Sequence, residues 1–325
     1  MIQLVAALVL AAPPPRGIGD SVSSSPVTLK TATGDLAGTE VVPVGVSRPP
    51  VVLMIPGSGP TDRDGNSQIQ VVPGKTLHTD TYRLLAAALA ADGIASVRYD
   101  KRGIGASAAA MAGKSENDIN FDSGIDDAVA WVSMLRADSR FSKVIIIGHS
   151  EGSLIGMVAA TRAKADGFVS LEGAGRRASV VLREQLASRG VPSEMYGATL
   201  DSLDAGRTVA STAPALAALL RPSVQPYLIS WFRYDPAVEL RKFSYPSLVI
   251  QGSRDIQTSA ADAQALASAP GARLVMIDGM THVIKDGPAD AASQFAGVYT
   301  DPSLPLDTAA VQAIVAYVRV VPQPR

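Results

Sequence analysis

The 325-residue sequence has no cysteine and only three histidines. The first absence excludes disulfides, thiolate metal sites, iron-sulfur clusters and a cysteine nucleophile, and it leaves the redox compartment open. The second confines imidazole chemistry to His78, His149 and His282, which are too scattered for a local metal-ligand spacing. Charge of either sign is not in excess: 29 Lys and Arg face 30 Asp and Glu, with no long basic run. The electrostatic footprint of a nucleic-acid partner or of an anionic membrane surface is therefore missing. Long apolar runs are missing too. The stretch Met1 to Ala12, closed by Pro13-Pro14-Pro15, would span ~18 Å as a helix against the ~30 Å of a bilayer core, so stable membrane insertion is not expected. That stretch reads as a signal-peptide apolar region, with small residues at Val9, Ala11 and Ala12 for cleavage, although no Lys or Arg precedes it. Residues 1–25 are thus expected to be a signal peptide and linker, with export to the periplasm or medium; the alternative is a cytoplasmic protein with a loose leader.

What is present is an alternation. Pro26–Thr31 and Leu36–Val44 flank Ala32-Thr33-Gly34-Asp35 and predict an antiparallel hairpin. Continuous apolar runs at Val51–Ile55, Ile94–Tyr99, Val144–Ile147, Phe168–Leu171, Leu248–Gln251 and Leu274–Ile277 predict parallel strands covered on both faces. Helical patterns lie between and after them, at about Thr81–Ala91, Ile125–Ala137, Gly152–Ala165, Ala260–Ala269 and Thr308–Val318. Strand alternating with helix predicts an α/β fold with a mostly parallel open sheet. The 70 residues from Ala174 to Phe243 break this rhythm with a mostly helical pattern. Residues 174–243 are therefore expected to form a helical cap, inserted in a catalytic α/β domain made of 26–173 and 244–325.

The segment Val144-Ile145-Ile146-Ile147-Gly148-His149-Ser150-Glu151-Gly152-Ser153 carries the chemistry. G-x-S-x-G alone is weakly specific, but here it ends an apolar strand and opens a helix, which is the context of a nucleophile elbow. Ser150 is the expected nucleophile. A serine hydroxyl needs a general base held by a carboxylate, and in the chain order Ser, acid, His only His282 lies downstream. His149, next to the elbow, reads as a packed neighbour of the turn. Asp255, in Gln251-Gly252-Ser253-Arg254-Asp255, follows a predicted strand at the sheet edge where ligands bind and is the expected acid; Glu172 and Asp278 are its rivals, Glu172 the more serious. The Gly- and Pro-rich loop Ile55–Asn66 follows the first parallel strand, and backbone N–H groups of Ser58 and Glu151 are the expected oxyanion-hole donors. Gly74-Lys75-Thr76 ends like a phosphate loop, but Ile69 stands where that motif needs its first glycine, so no nucleotide site is expected.

Taken together, PGSGPTDRDGN at 56–66, RYDKRGIGAS at 98–107, GHSEGS at 148–153, QGSRD at 251–255 and GMTHV at 279–283 make the sequence resemble the α/β-hydrolase superfamily, in its bacterial serine esterase and serine-aminopeptidase-like branch. The resemblance runs from about Thr28 to Val318. It implies an eight-stranded mostly parallel sheet with a helical cap, a triad of Ser150, Asp255 and His282, no cofactor and no metal, and a structural role for Asp100–Ser107. One departure is Pro56, where many members carry His before the glycine. The expected activity is hydrolysis of small-molecule esters through an acyl-enzyme on Ser150, with an amidase or aminopeptidase-like activity, or a hydrolase-fold binding protein without turnover, as alternatives. Aspartate in place of Ser150, the mark of dehalogenase and epoxide hydrolase relatives, is absent. Oligomeric state is not encoded in any of these features.

Overall fold

The computed structural model describes residues 22–322. The apolar stretch read as a signal peptide lies outside the described residues. Ten strands are present: β1 (Val22–Leu29), β2 (Leu36–Pro43), β3 (Val51–Ile55), β4 (Gln70–Val72), β5 (Lys75–Thr76), β6 (Ala95–Tyr99), β7 (Val144–His149), β8 (Gly167–Leu171), β9 (Ser247–Gly252) and β10 (Ala272–Ile277). Eight of them form one sheet in the order β1-β2-β6-β3-β7-β8-β9-β10, and β4 pairs only with β5. β1 and β2 run antiparallel, as do β2 and β6; every pair from β6 to β10 across the sheet is parallel.

The parallel strands form because their apolar runs can be covered on both faces. Along β3, Val51, Leu53 and Ile55 enter one core while Val52 and Met54 enter the other, the period of two that a pleated strand imposes. The first core is closed by helices Phe121–Ala137, Glu151–Ala163, Pro236–Arg241 and Ala260–Ala267, the second by Thr81–Ala91 and Thr308–Val320. Cap signals set several starts: the side chain of Asn120 accepts from Ser123 N–H, that of Asp307 accepts from Ala310 N–H, and Ser259 with Asp262 makes a reciprocal capping box. No helix among the described residues is long and apolar enough to cross a membrane.

Two boundaries differ from expectation. β1 begins at Val22, inside the stretch read as linker; its exposed Ser23, Ser24, Ser25 and Pro26 give no apolar signal, and an edge strand tolerates the proline because it needs no second ladder there. The insertion between β8 and β9 is helical, but it has two allegiances. Its helices from Ala178 to Phe232 bury a separate cluster that includes Leu186, Leu200, Leu203, Leu220, Leu228 and Phe232. Leu240 and Phe243, by contrast, pack into the main core. The last helix of the expected cap, Pro236–Arg241, thus belongs to the layer flanking the sheet.

Strand order locates the site. The chain goes from β3 outward to β6 and then back across to β7, so the connections reverse direction between β3 and β7. Ligands in open α/β sheets bind outside the carboxyl ends of the strands at such a switch point. The segments leaving β3 and β7 there are the loop 56–66 and the turn at Ser150.

Candidate active site

Ser150 sits between β7 and the helix Glu151–Ala163 with φ 54° and ψ −121°, a conformation disfavoured for any residue with a Cβ. The turn is made possible by what flanks it. A Cβ on Gly148 would lie 2.2 Å from the Gly152 carbonyl oxygen, and one on Gly152 would lie 2.3 Å from that of Ile55 and 2.6 Å from that of Pro56. Both glycines are required by backbone, which cannot swing aside as a side chain would. Gly152→Ala is accordingly expected to cost about 3 kcal/mol, the upper end of overpacking penalties, read as a lowered thermal midpoint; an unchanged midpoint would show that the elbow is slack.

His282 Nδ1 lies 2.7 Å from Asp255 Oδ2, and both side chains are buried. The Asp255 carboxylate is held from several sides: Oδ1 accepts from the N–H groups of Gln257 at 2.6 Å and Thr258 at 3.0 Å, and Oδ2 accepts from the Thr258 hydroxyl at 2.7 Å. Burial alone would raise its pKa, but the neighbouring His282, hydrogen bonds from His282 and Glu172 and the Gln257 N–H outweigh that and hold the carboxyl well below the ordinary range. Ser150 and His282 line a common cavity of about 100 Å³ together with Gly57, Ser58, Tyr82 and His149. Among the described residues no hydrogen bond joins the Ser150 hydroxyl to His282; such contacts commonly tighten only when substrate binds.

The rival acids separate cleanly. Asp278 is exposed and takes a hydrogen bond from the Ser253 hydroxyl at 2.8 Å, away from the histidine. Glu172 is fully buried with φ 50°, and its Oε1 accepts from Gly252 N–H at 2.7 Å. Carboxyl oxygens of Glu172 and Asp255 and a ring nitrogen of His282 all lie within 4.8 Å of one another. Burial and then the Asp255 charge push the Glu172 carboxyl well above its ordinary value. Two carboxyl groups this close and this dry do not both ionise, so Glu172 carries a proton. Its Oε2 has no hydrogen-bond partner among the described residues, and an ionised oxygen there would be a buried charge left unpaired. The three groups have a spacing that a cation could use, but a neutral Glu172 and a His282 Nδ1 already engaged by Asp255 make a poor ligand set.

His149 holds His282 from behind. Its Nε2 lies 2.7 Å from the His282 carbonyl oxygen and must carry the hydrogen, so Nδ1, 2.7 Å from the Tyr82 hydroxyl, is the acceptor. Tyr82 in turn accepts from Gly57 N–H at 3.0 Å. Burial first, and the proximity of His282 second, press the His149 pKa down to about 3, which keeps the ring neutral throughout the working range. His78 is exposed beside Asp80 and takes no part.

The expected oxyanion donors stand where the elbow meets the loop after β3. A Cβ on Gly57 would touch Ser150 Cβ at 3.2 Å, so Ser58 is the next residue along the wall beside Ser150. Neither Ser58 N–H nor Glu151 N–H meets a backbone acceptor among the described residues, and Glu151 opens its helix, where such groups are free.

Comparison with known proteins places this architecture. A family model described as serine aminopeptidase, S33, matches residues 65–183. Brefeldin A esterase, described as a bacterial homologue of human hormone-sensitive lipase, superposes with a TM-score of 0.57 at 18% identity, over 96% of this chain and 80% of that one. Est1E from Butyrivibrio proteoclasticus superposes with a TM-score of 0.56 at 14% identity, over 90% and 96%. The chain has the α/β-hydrolase fold. Esterase EstD from Thermotoga maritima is 26% identical over 266 residues, 78% of this chain and 58% of that protein. The chain therefore spans under two thirds of the length of that curated relative.

Sequence reasoning passed over one residue beside the site. Lys101, in the segment expected to be merely structural, donates from Nζ to the Gly57 carbonyl oxygen at 2.5 Å and lies 3.7 Å from Glu151 Oε2. Glu151 Oε1 accepts from the Tyr227 hydroxyl at 2.5 Å. The lysine thereby grips the peptide that joins Gly57 to Ser58 and ties it to the first residue after Ser150. Its neighbour Asp100 does serve structure, accepting from Arg63 N–H and Ala106 N–H, each at 2.8 Å. Nothing in RYDKRG marks which of its three basic residues reaches Gly57.

Proposed function

We propose that this chain is a serine hydrolase that cleaves carboxylic esters through an acyl-enzyme on Ser150, with His282 as general base, Asp255 as its orienting acid, and the N–H groups of Ser58 and Glu151 as oxyanion donors. The observation that carries this reading is the His282–Asp255 hydrogen bond of 2.7 Å beside a serine held in a disfavoured turn. Asp255 takes the Nδ1 hydrogen, so Nε2 is left unprotonated and free to accept the Ser150 proton. As Ser150 Oγ adds to the ester carbonyl, the developing oxyanion is met by two amides that have no other backbone partner. The His282 proton then passes to the leaving alcohol, and water repeats the sequence to release the acid.

Esters are favoured over aminopeptidase substrates by how the acidic side chains around the larger cavity are engaged. Recognition of a free α-amine needs an available carboxylate, yet Glu116 is bound by Arg221 and Ser223, Asp118 by Ser115, Asp126 by Arg162, Asp127 by Arg102, and Glu151 by Tyr227. The names of two of the relatives, both esterases, point the same way. Steady-state rates on matched p-nitrophenyl esters and aminoacyl anilides test the reading, with esters expected to be faster by at least a hundredfold in kcat/KM. An anilide preference would replace the esterase reading with the peptidase one. Failure of Ser150 to react with a fluorophosphonate would leave a binding protein.

A further inference from the structure

Two cavities of very different size and character meet at Ser150. One, of about 100 Å³, is lined by His282, His149, Tyr82, Thr61, Thr79 and Thr81. The other, of about 970 Å³, lies under the cap and includes Leu154, Ile155, Val181, Leu182, Leu219 and Trp231 in its wall. Ser150 and Ser58 line both. His282 lines only the small one. Ligand pockets typically run from roughly 300 to 1,000 Å³, so the large cavity is at the upper end and the small one is far below it.

The chemistry decides which end of an ester goes where. His282 must deliver its proton to the alcohol oxygen as the C–O bond to the leaving group breaks, and Nε2 is the only ring nitrogen left for this because Nδ1 is engaged by Asp255. The leaving alcohol therefore departs on the His282 side. The water that attacks the acyl-enzyme gives its proton to the same Nε2 and must arrive from that side too, by microscopic reversibility. A small space walled by threonine and tyrosine residues suits a short alcohol and then a water. A long alkyl chain would overfill that space and displace the water. The acyl group, held on Ser150 between the two half-reactions, is left with the large apolar cavity.

Resting on the serine esterase reading, we propose that the substrates are esters of bulky, apolar carboxylic acids with short alcohols, the acyl chain lodging beneath the cap. Each acyl methylene buried there is worth about a fourfold gain in kcat/KM, from ~0.8 kcal/mol per CH₂, whereas lengthening the alcohol brings no such gain. The test uses the isomeric pair methyl decanoate and nonyl acetate, which share formula and differ only in which side carries the chain. Methyl decanoate is expected to be hydrolysed at least tenfold faster in kcat/KM. The decanoyl-enzyme is also expected to be intercepted by added methanol, giving methyl ester, in preference to 1-hexanol. Equal rates for the isomers, or faster nonyl acetate, with Ser150 still labelled by a fluorophosphonate, would overturn the assignment of the two cavities and leave the serine esterase reading standing. No turnover of either ester together with an unlabelled Ser150 would remove both.

Discussion

Replacing Ser150 with alanine is expected to lower ester hydrolysis by about 10⁴-fold or more while leaving the thermal midpoint within a degree or two of the parent. The loss is large because the nucleophile and its base act as a unit, and removing either typically costs nearly as much as removing the whole set. Stability is spared because Ser150 contributes strain and not packing. Its φ of 54° with ψ of −121° persists only because β7, the helix Glu151–Ala163 and the Ser150 N–H bond to the Leu171 carbonyl over-determine it, and such conformations cost of order 1–3 kcal/mol. Alanine keeps the Cβ and so keeps that cost. Glycine does not, so Ser150→Gly is expected to be as inactive as Ser150→Ala but to melt higher, by an amount corresponding to about 1–3 kcal/mol. A glycine variant no more stable than the alanine variant would mean the turn is not strained. An alanine variant retaining a tenth of the parent activity would remove Ser150 as nucleophile.

The strands that bring the site together were legible because each is a continuous apolar run. Val51–Ile55 matches β3 residue for residue, and β7 extends its predicted run only by Gly148 and His149. Elements that bury little were not legible. The hairpin of β4 and β5 has no buried residue, and the helix Ala291–Ala296 buries one, so neither leaves a periodic trace. At the site, chain order selected His282 and sheet-edge position selected Asp255, and the structure brings the two into contact. Glu172, weighed as the rival acid, follows the neighbouring strand and lies in the same cluster. What a sequence cannot encode locally is which of two adjacent carboxyl groups meets the ring, or that Lys101 reaches Gly57 and His149 reaches His282, because these contacts join segments far apart in the chain.

Asp255→Asn and Glu172→Gln should therefore have opposite outcomes despite being the same chemical change a few ångströms apart. In Asp255→Asn the amide oxygen remains at the Oδ1 position, where the Gln257 and Thr258 N–H groups demand an acceptor. Its NH₂ group then faces His282 Nδ1 and forces that nitrogen to accept, moving the ring hydrogen to Nε2. A base with its proton already on Nε2 cannot take one from Ser150, and kcat is expected to fall by about 10⁴-fold, the cost seen when a triad acid is made neutral. Glu172→Gln instead mimics the protonated acid, with its oxygen accepting from Gly252 N–H and its neutral NH₂ group placed near Asp255, so kcat should stay within about threefold. Its effect should appear in stability. Glu172 has a folded pKa raised well above the 4.5 it starts from, so its contribution is complete below pH 4.5 and is lost as pH climbs through the folded value, because the unfolded chain releases the proton and the folded one does not. Glutamine cannot ionise in either state. Glu172→Gln should thus melt with the parent near pH 4 and progressively above it toward pH 8, as thermal melts across that range would record. A collapse of kcat in Glu172→Gln with Asp255→Asn nearly intact would exchange the two roles, and a Glu172→Gln variant that loses stability as pH rises would mean the parent carboxyl is ionised.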